Sequence, residues 1–334
     1  MKPSRTTLAW LLEDDLPAVR YRTLTELLGM PATDPEVRAA RAAVPESADV
    51  ARVFKRMHPD GYWLQRNSAG QQVGQGVEYG SFATTHYCLA ALAELGLDRS
   101  DARVARAAER YLNLQSSDGD YWRHMSCLNG YNLRTFAMLG YRDDPRVRRT
   151  LELMLRTERA DGGYLCEMHE GKRVKKPVAS CIRGAAKMLL AFAAFPETRS
   201  TRRCQALVDY FLRRGGLYRM DQPDVPVVRE STWTVFPFTW GSGLLDVLLG
   251  LSVLGLGRRS ELDRAWQVLA EKRDPHGLYP LDWTPAQSLL KAGKRGAPNK
   301  WVTLYAHLAL AARDGRKQAR QRGPIPPRAA RSSY

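Results

Sequence analysis

The chain has 334 residues, 44% of them hydrophobic, five cysteines and a formal net charge of +16. That composition allows one large core or two ordinary ones, and the odd cysteine count, without disulfide-like spacing, argues against a stapled secreted framework. The longest apolar run, Leu244 to Leu256, is broken by Asp246 and several glycines, so no bilayer span is expected; nor does the Met1-Lys-Pro-Ser-Arg opening read as a signal peptide. The expectation is a reduced, cytoplasmic protein.

Residues 7–45 read as short helices. Pro17 suits a first helical turn, Val19, Leu24, Leu27 and Leu28 form an apolar stripe, and Gly29 ends the run. Asp34-Pro35 opens another helix, and this segment on its own resembles a HEAT-type unit. We expect 1–46 to be a helical segment packed on a larger helical body at 47–313, with a basic, poorly ordered tail at 314–334.

From residue 47 a repeat takes over. A helix, a glycine turn and an aromatic recur at Asp60-Gly61-Tyr62-Trp63, Asp118-Gly119-Asp120-Tyr121-Trp122, Asp161-Gly162-Gly163-Tyr164, Gly215-Gly216-Leu217-Tyr218 and Asp274-Pro275-His276-Gly277-Leu278-Tyr279. Glycine supplies the positive φ that lets the chain reverse after a helix. After each turn comes a second, more apolar helix: Thr84–Leu95, Cys127–Leu139, Cys181–Phe195, Gly243–Leu254 and Val302–Ala312. Helices before the turns carry charges such as Arg103, Arg106, Glu109 and Arg110; those after them are nearly uncharged. A helix apolar on most sides must be buried on most sides. The pattern therefore predicts an all-α protein of about five to six helical hairpins, charged helices outside and apolar ones inside. Spacing alone leaves a closed ring and an open solenoid both possible.

The phrase Tyr111-Leu112-Asn-Leu-Gln115-Ser-Ser-Asp-Gly119-Asp-Tyr-Trp122 resembles the QW motif of squalene and terpene cyclases, with one extra residue before the Trp. The turn at Gly162-Gly163-Tyr164, leading to Ser180-Cys181, looks like the repeat of protein prenyltransferase β-subunits. The resemblance covers residues 50–312 and implies an (α/α) toroid around a cavity, with an isoprenoid or other apolar substrate. The Asp-x-Asp-Asp acid motif of the cyclases is absent, which argues against ordinary cyclisation. Cys181 falls where prenyltransferases place a zinc cysteine, but Ala179 stands where their aspartate would be, and His307 is only a loose counterpart of their histidine.

Ser126-Cys127-Leu128-Asn129-Gly130 and Ser180-Cys181-Ile182-Arg183-Gly184 are near-duplicates at two inner-helix starts. With Cys166 and His169 they make a candidate zinc set, three thiols and an imidazole; the alternative is small apolar packing residues beside an N-cap. Arg134, Arg183 and Lys187 are a candidate anion site, or partners of acids such as Glu167 and Asp246. His86 is a candidate acid or base and Asp120 a candidate carboxylate, while Tyr79, Trp233, Trp240 and Trp301 are candidate cavity-lining residues. The glycine-rich loop at residues 68–76 lacks the ending of a phosphate-binding loop. The positive charge, concentrated at Arg313, Arg316, Lys317, Arg320, Arg322, Arg328 and Arg331, leaves a second possibility open: a helical-repeat protein that binds nucleic acid, or a scaffold without a ligand.

Overall fold

The computed structural model describes residues 2–66, 72–73, 84–166, 179–238, 241–286 and 288–315. The helices among them are α1 (Arg5–Leu11), α2 (Pro17–Arg22, extended by a π turn over Thr23–Leu27), α3 (Pro35–Ala43), α4 (Ala48–Phe54), α5 (Thr85–Glu94), α6 (Ala102–Leu112), α7 (Ser126–Met138), α8 (Pro145–Arg156), α9 (Ile182–Ala194), α10 (Arg202–Leu212), α11 (Leu244–Val253), α12 (Asp263–Glu271) and α13 (Lys300–Arg313). Among the described residues the only strands are a two-residue antiparallel pair, Gln65–Arg66 with Gln72–Val73. The protein is an (α/α) toroid.

Hydrophobic patterning explains the two layers. In α6 and α8 one face is buried (Val104, Ala107, Ala108, Tyr111; Val147, Thr150, Leu151, Met154), while Arg106, Glu109, Arg110 and Arg149 face solvent. Every residue of α5 is buried, and α7, α9, α11 and α13 are buried along almost their whole lengths. The inner helices pack in chain order, α5 on α7, α7 on α9, α9 on α11 and α11 on α13.

The turn glycines seat each hairpin against the next. Gly61, Gly119, Gly162, Gly216 and Gly277 all have positive φ. At Gly162 the requirement is doubled: φ is +80°, and a Cβ would lie 2.5 Å from the Ala206 carbonyl of α10. Its neighbour Gly163 would clash with Ser180 at 2.3 Å, so only a Gly-Gly pair lets this turn fit between α9 and α10. The aromatic that follows ties the turn back: Trp63 Nε1 donates to the Val53 carbonyl at 2.9 Å, and the Tyr164 hydroxyl donates to that of Met154 at 2.7 Å.

The same relation closes the ring. A Cβ on Gly277, in the last turn, would meet Thr7 Oγ1 of α1 at 2.7 Å, and Thr7 Oγ1 donates to the His276 carbonyl at 2.8 Å. Helix α1 thus stands where the next outer helix belongs. Helix α2 follows it inward and packs on α13, with Tyr21 against Gly96 at the end of α5. Lys300 at the start of α13 binds Glu13 (2.7 Å) and Asp15 in the α1–α2 turn. The N-terminal segment is the sixth hairpin of the ring, and α3 lies outside it against α2.

The interior of the ring is filled. The segment Trp233–Phe238 enters it: Phe236 stacks on Trp301 (4.8 Å between centroids) and Phe238 meets Tyr305 edge-on at 4.6 Å. Between this plug and α5, the space lined by Tyr87, Glu94, Pro237 and Leu290 is about 10 Å³, the volume of a single water probe. Where a central cavity was expected, the aromatic side chains of this segment pack against α13.

His307 of α13 is 1% exposed and donates through Nε2 to the Gly277 carbonyl (3.2 Å) at the closing turn. Burial pushes its pKa down to about 4. The unfolded chain takes up this proton below about pH 6.5 while the folded one does not until about pH 4, so stability present at neutral pH is lost over that window. We expect up to about 3 kcal/mol from this group, read as a steeper fall in unfolding free energy between pH 6.5 and 4.5 for the wild type than for His307→Gln. Parallel profiles would exclude it.

Candidate functional site

Two clusters of chemistry-bearing side chains lie inside the ring. The first is a charged hub. Glu94 of α5 accepts from Arg22 Nη1 of α2 (2.9 Å), from Arg134 of α7 and from the Tyr305 hydroxyl of α13. Arg22 and Arg134 also donate to the Tyr305 oxygen, at 2.7 and 2.9 Å. Glu26 takes the other edge of Arg22 in a two-point pair at 2.6 and 2.9 Å. Burial alone would raise the Glu94 pKa, but the Arg134 and Arg22 guanidinium groups overcome it and hold the carboxyl below its usual range. Burial raises the Tyr305 pKa, so the phenol stays protonated and can donate.

The hub corrects one expectation. Arg134 does not join Arg183 and Lys187 in an anion site. Its guanidinium is spent on Glu94 and Tyr305 and lies 5.8 Å from the Phe238 ring, whereas Arg183 is exposed and paired with Glu230 at 2.9 Å. Of these three, Lys187 is the one buried near an inner-helix start.

The second cluster is built where α7, α9 and α11 begin. The near-duplicate sequences explain how. A Cβ on Gly130 would stand 3.0 Å from the backbone of Lys187 and Met188, and one on Gly184 would stand 3.2 Å from Cys127 Sγ. These glycines let α7 and α9 approach until each presents its cysteine to the other. The connecting turn is fastened between them, since the Cys181 amide donates to the Tyr164 carbonyl (2.8 Å) and Ser126 Oγ to that of Leu165 (2.9 Å). Cys166 follows, with its Sγ 3.3 Å from Cys127 Sγ. Cys181, the N-cap of α9, also contacts the Cys127 sulfur.

Electrostatics distinguish the three thiols. The contact with Cys166 pushes Cys127 up to about 12, and Cys127 and burial raise Cys181 as well. Cys166 is lowered, first by the Cys127 hydrogen bond that its thiolate would accept, with Lys187 adding positive charge. Lys187 also faces Asp246 in the first turn of α11. Asp246 Oδ1 accepts from the Gly243 amide at 2.9 Å and the Val247 amide at 3.1 Å, while its Oδ2 is buried without a hydrogen-bond partner among the described residues. Burial raises its pKa to about 6, partly offset by the Gly243 amide and by Lys187. The positive charge of buried Lys187 thus acts both on a thiol that is lowered and on a carboxyl that burial raises. The sequence marked Asp246 only as a possible ion-pair partner.

The remaining candidates scatter. His86 is 1% exposed among the rings of Tyr87, Tyr111 and Tyr131, at 4.5, 6.1 and 5.6 Å. Asp120 accepts from the His124 amide (2.8 Å) and from Asn129 Nδ2 (2.7 Å), fastening the turn to α7. Trp301 is core, stacked on Phe236, and Trp233 is half-buried with the Arg229 guanidinium 5.2 Å from its ring. Tyr79, His169, Trp240, the 68–76 loop's glycines and the tail from residue 316 lie outside the described residues. Among the described residues no group of three or more His, Cys, Asp or Glu is arranged to hold a metal ion. A larger cleft of about 670 Å³, lined by Arg159, Arg202, Arg213, Arg259, Asp209 and Glu261, lies on the outer layer behind the turn that carries Cys166. No helix among the described residues is long and apolar enough to cross a membrane.

No protein-family model matches the sequence, and no curated protein matches it. Solved structures do match the fold. The polysaccharide lyase BACCELL_00875 superposes with a TM-score of 0.52 at 14% identity, over 94% of this chain and 90% of that one. A glycosyl hydrolase family 88 protein from Bacteroides vulgatus gives 0.50 at 16% identity, over 90% and 91%. The type II terpene cyclase MstE from Scytonema gives 0.33 at 14% identity, over 81% of this chain and 98% of that one. At these identities the likeness is one of architecture, and both first-named neighbours share the toroid.

The hub yields a direct test. Replacing Glu94 by Gln leaves buried Arg134 without its carboxylate and Arg22 with Glu26 alone, which should cost about 3–5 kcal/mol. Tyr305→Phe, which removes only the phenol oxygen, should cost about 1–3 kcal/mol. Urea denaturation measures both, and a loss under about 1 kcal/mol for Glu94→Gln would contradict the network's role.

Proposed function

We propose that this toroid is an enzyme acting on an isoprenoid or similarly apolar small molecule at the mouth where α7, α9 and α11 begin, rather than in a cavity on the axis. The observation that carries the reading is that buried Lys187 acts electrostatically on both Cys166 and Asp246, whose Oδ2 is buried without a hydrogen-bond partner among the described residues. On a prenyl diphosphate the Cys166 thiolate attacks C1 as the C1–O bond breaks, the diphosphate leaves with a proton from Asp246 Oδ2, and Lys187 stabilises the negative charge of the leaving group.

Nucleic-acid binding has less support. Many outer arginines are already paired: Arg20 with Asp14 and Glu36, Arg41 with Asp98, Arg146 with Glu109 and Asp144, Arg148 with Glu197, and Arg264 with Asp224.

The test incubates purified protein with geranyl, farnesyl and geranylgeranyl diphosphates and follows products by mass spectrometry. Conversion of at least one is expected, reduced roughly 100-fold or more in Asp246→Asn and in Cys166→Ser. Absence of binding and conversion for all three, or equal rates in both variants, would overturn the proposal.

A further inference from the structure

The thiol cluster supports a second inference, which rests on the sulfur contacts and stands whether or not the mouth is catalytic. We propose that Cys127 and Cys166 form a redox-active dithiol that closes to a disulfide when a peroxide reaches the mouth.

Four observations carry it. The two sulfurs are 3.3 Å apart, so closure to a disulfide bond of about 2.05 Å needs roughly 1.3 Å of approach. The residues come from separate segments, one on α7 and one in the turn before α9, and that turn is fastened to both helices, Ser126 Oγ donating to the Leu165 carbonyl and the Cys181 amide to that of Tyr164. The pair therefore stays in contact without a covalent link. Lys187 makes the surroundings electropositive, which favours one thiolate over two thiols. Finally, Cys181, the third thiol of the cluster, is half-buried, so the cluster extends to a side chain that is itself partly accessible.

The chemistry balances as follows. The Cys166 thiolate attacks one peroxide oxygen and breaks the O–O bond; Cys166 becomes a sulfenic acid and hydroxide leaves. The Cys127 sulfur then attacks the sulfenic sulfur, its proton is taken by the hydroxide, and the sulfenic oxygen departs as water after protonation from solvent. Two electrons pass from the two sulfurs to the peroxide, and two water molecules are formed. The product joins the turn to α7 and removes the thiolate, so oxidation silences Cys166.

Cys88 on α5 and Cys204 on α10 are internal controls: both are buried, and burial raises both thiols. The experiment treats the reduced full-length protein with a small molar excess of hydrogen peroxide, blocks remaining thiols, and maps peptides by mass spectrometry. The expected result is one Cys127–Cys166 cross-link, with Cys88, Cys181 and Cys204 alkylated. Cys127→Ser should halt at the sulfenic acid of Cys166, trapped by dimedone, and Cys181→Ser should still form the cross-link. Cross-linking through Cys181 in place of Cys166, indiscriminate oxidation of Cys88 and Cys204, or thiols kept unreactive by stoichiometric co-purified zinc would each overturn the proposal. Loss of prenyl turnover with an intact cross-link would count against the enzyme reading alone.

Discussion

A carboxylate held among two guanidinium groups and a phenol, in the interior of the ring, is the constraint on which the structure depends. Glu94 collects Arg22 from α2, Arg134 from α7 and Tyr305 from α13, so four of the six inner helices share one buried charge. Burying an ion is costly unless its partners are placed well, and their geometry is tolerable only when all four helices stand in register. The hub therefore favours the closed ring over an open solenoid, in which α2 and α13 would not meet. It also uses up space that a larger ring would leave for a ligand, as does the aromatic segment at Phe236 and Phe238.

The thiol cluster lies at the ends of the inner helices. Small residues decide what meets there. Gly130 and Gly184 bring α7 and α9 close enough for Cys127 to lie against α9, and the Gly162-Gly163 turn delivers Cys166 to the same place. The charge of buried Lys187 favours the ionised form of both Cys166 and Asp246. Burial opposes it at both groups, and at Asp246 burial prevails.

Much of this was legible in the sequence because it is local. The glycine turns announce themselves by spacing, and the inner helices by lack of charge; Thr84–Leu95 and Cys127–Leu139 differ from α5 and α7 by a residue or so at each end. The paired Ser-Cys motifs were visible because a serine and a small thiol beside a helix start repeat at a fixed distance from a glycine. What could not be read was long-range. Arg22, Glu94, Arg134 and Tyr305 are unremarkable singly, and nothing near Arg134 says that its charge is met from another hairpin. The sixth hairpin was hidden because α1 and α2 carry no glycine-aromatic phrase between them; only the approach of Gly277 to Thr7 reveals it. The plug by Phe236 and Phe238 was hidden too, since aromatics that fill a ring and aromatics that line one have the same composition.

The central claim is that the N-terminal hairpin is part of the ring rather than an appendage to it. Native-state hydrogen exchange measures this directly, amide by amide, as the free energy of the opening that exposes each group. If α2 is locked to α5 and α13 through Glu94, its slowest amides should exchange only with the global unfolding that also exposes α7 and α13. Exchange of α2 through a separate opening several kcal/mol below the global one, with α7 and α13 still protected, would contradict the account.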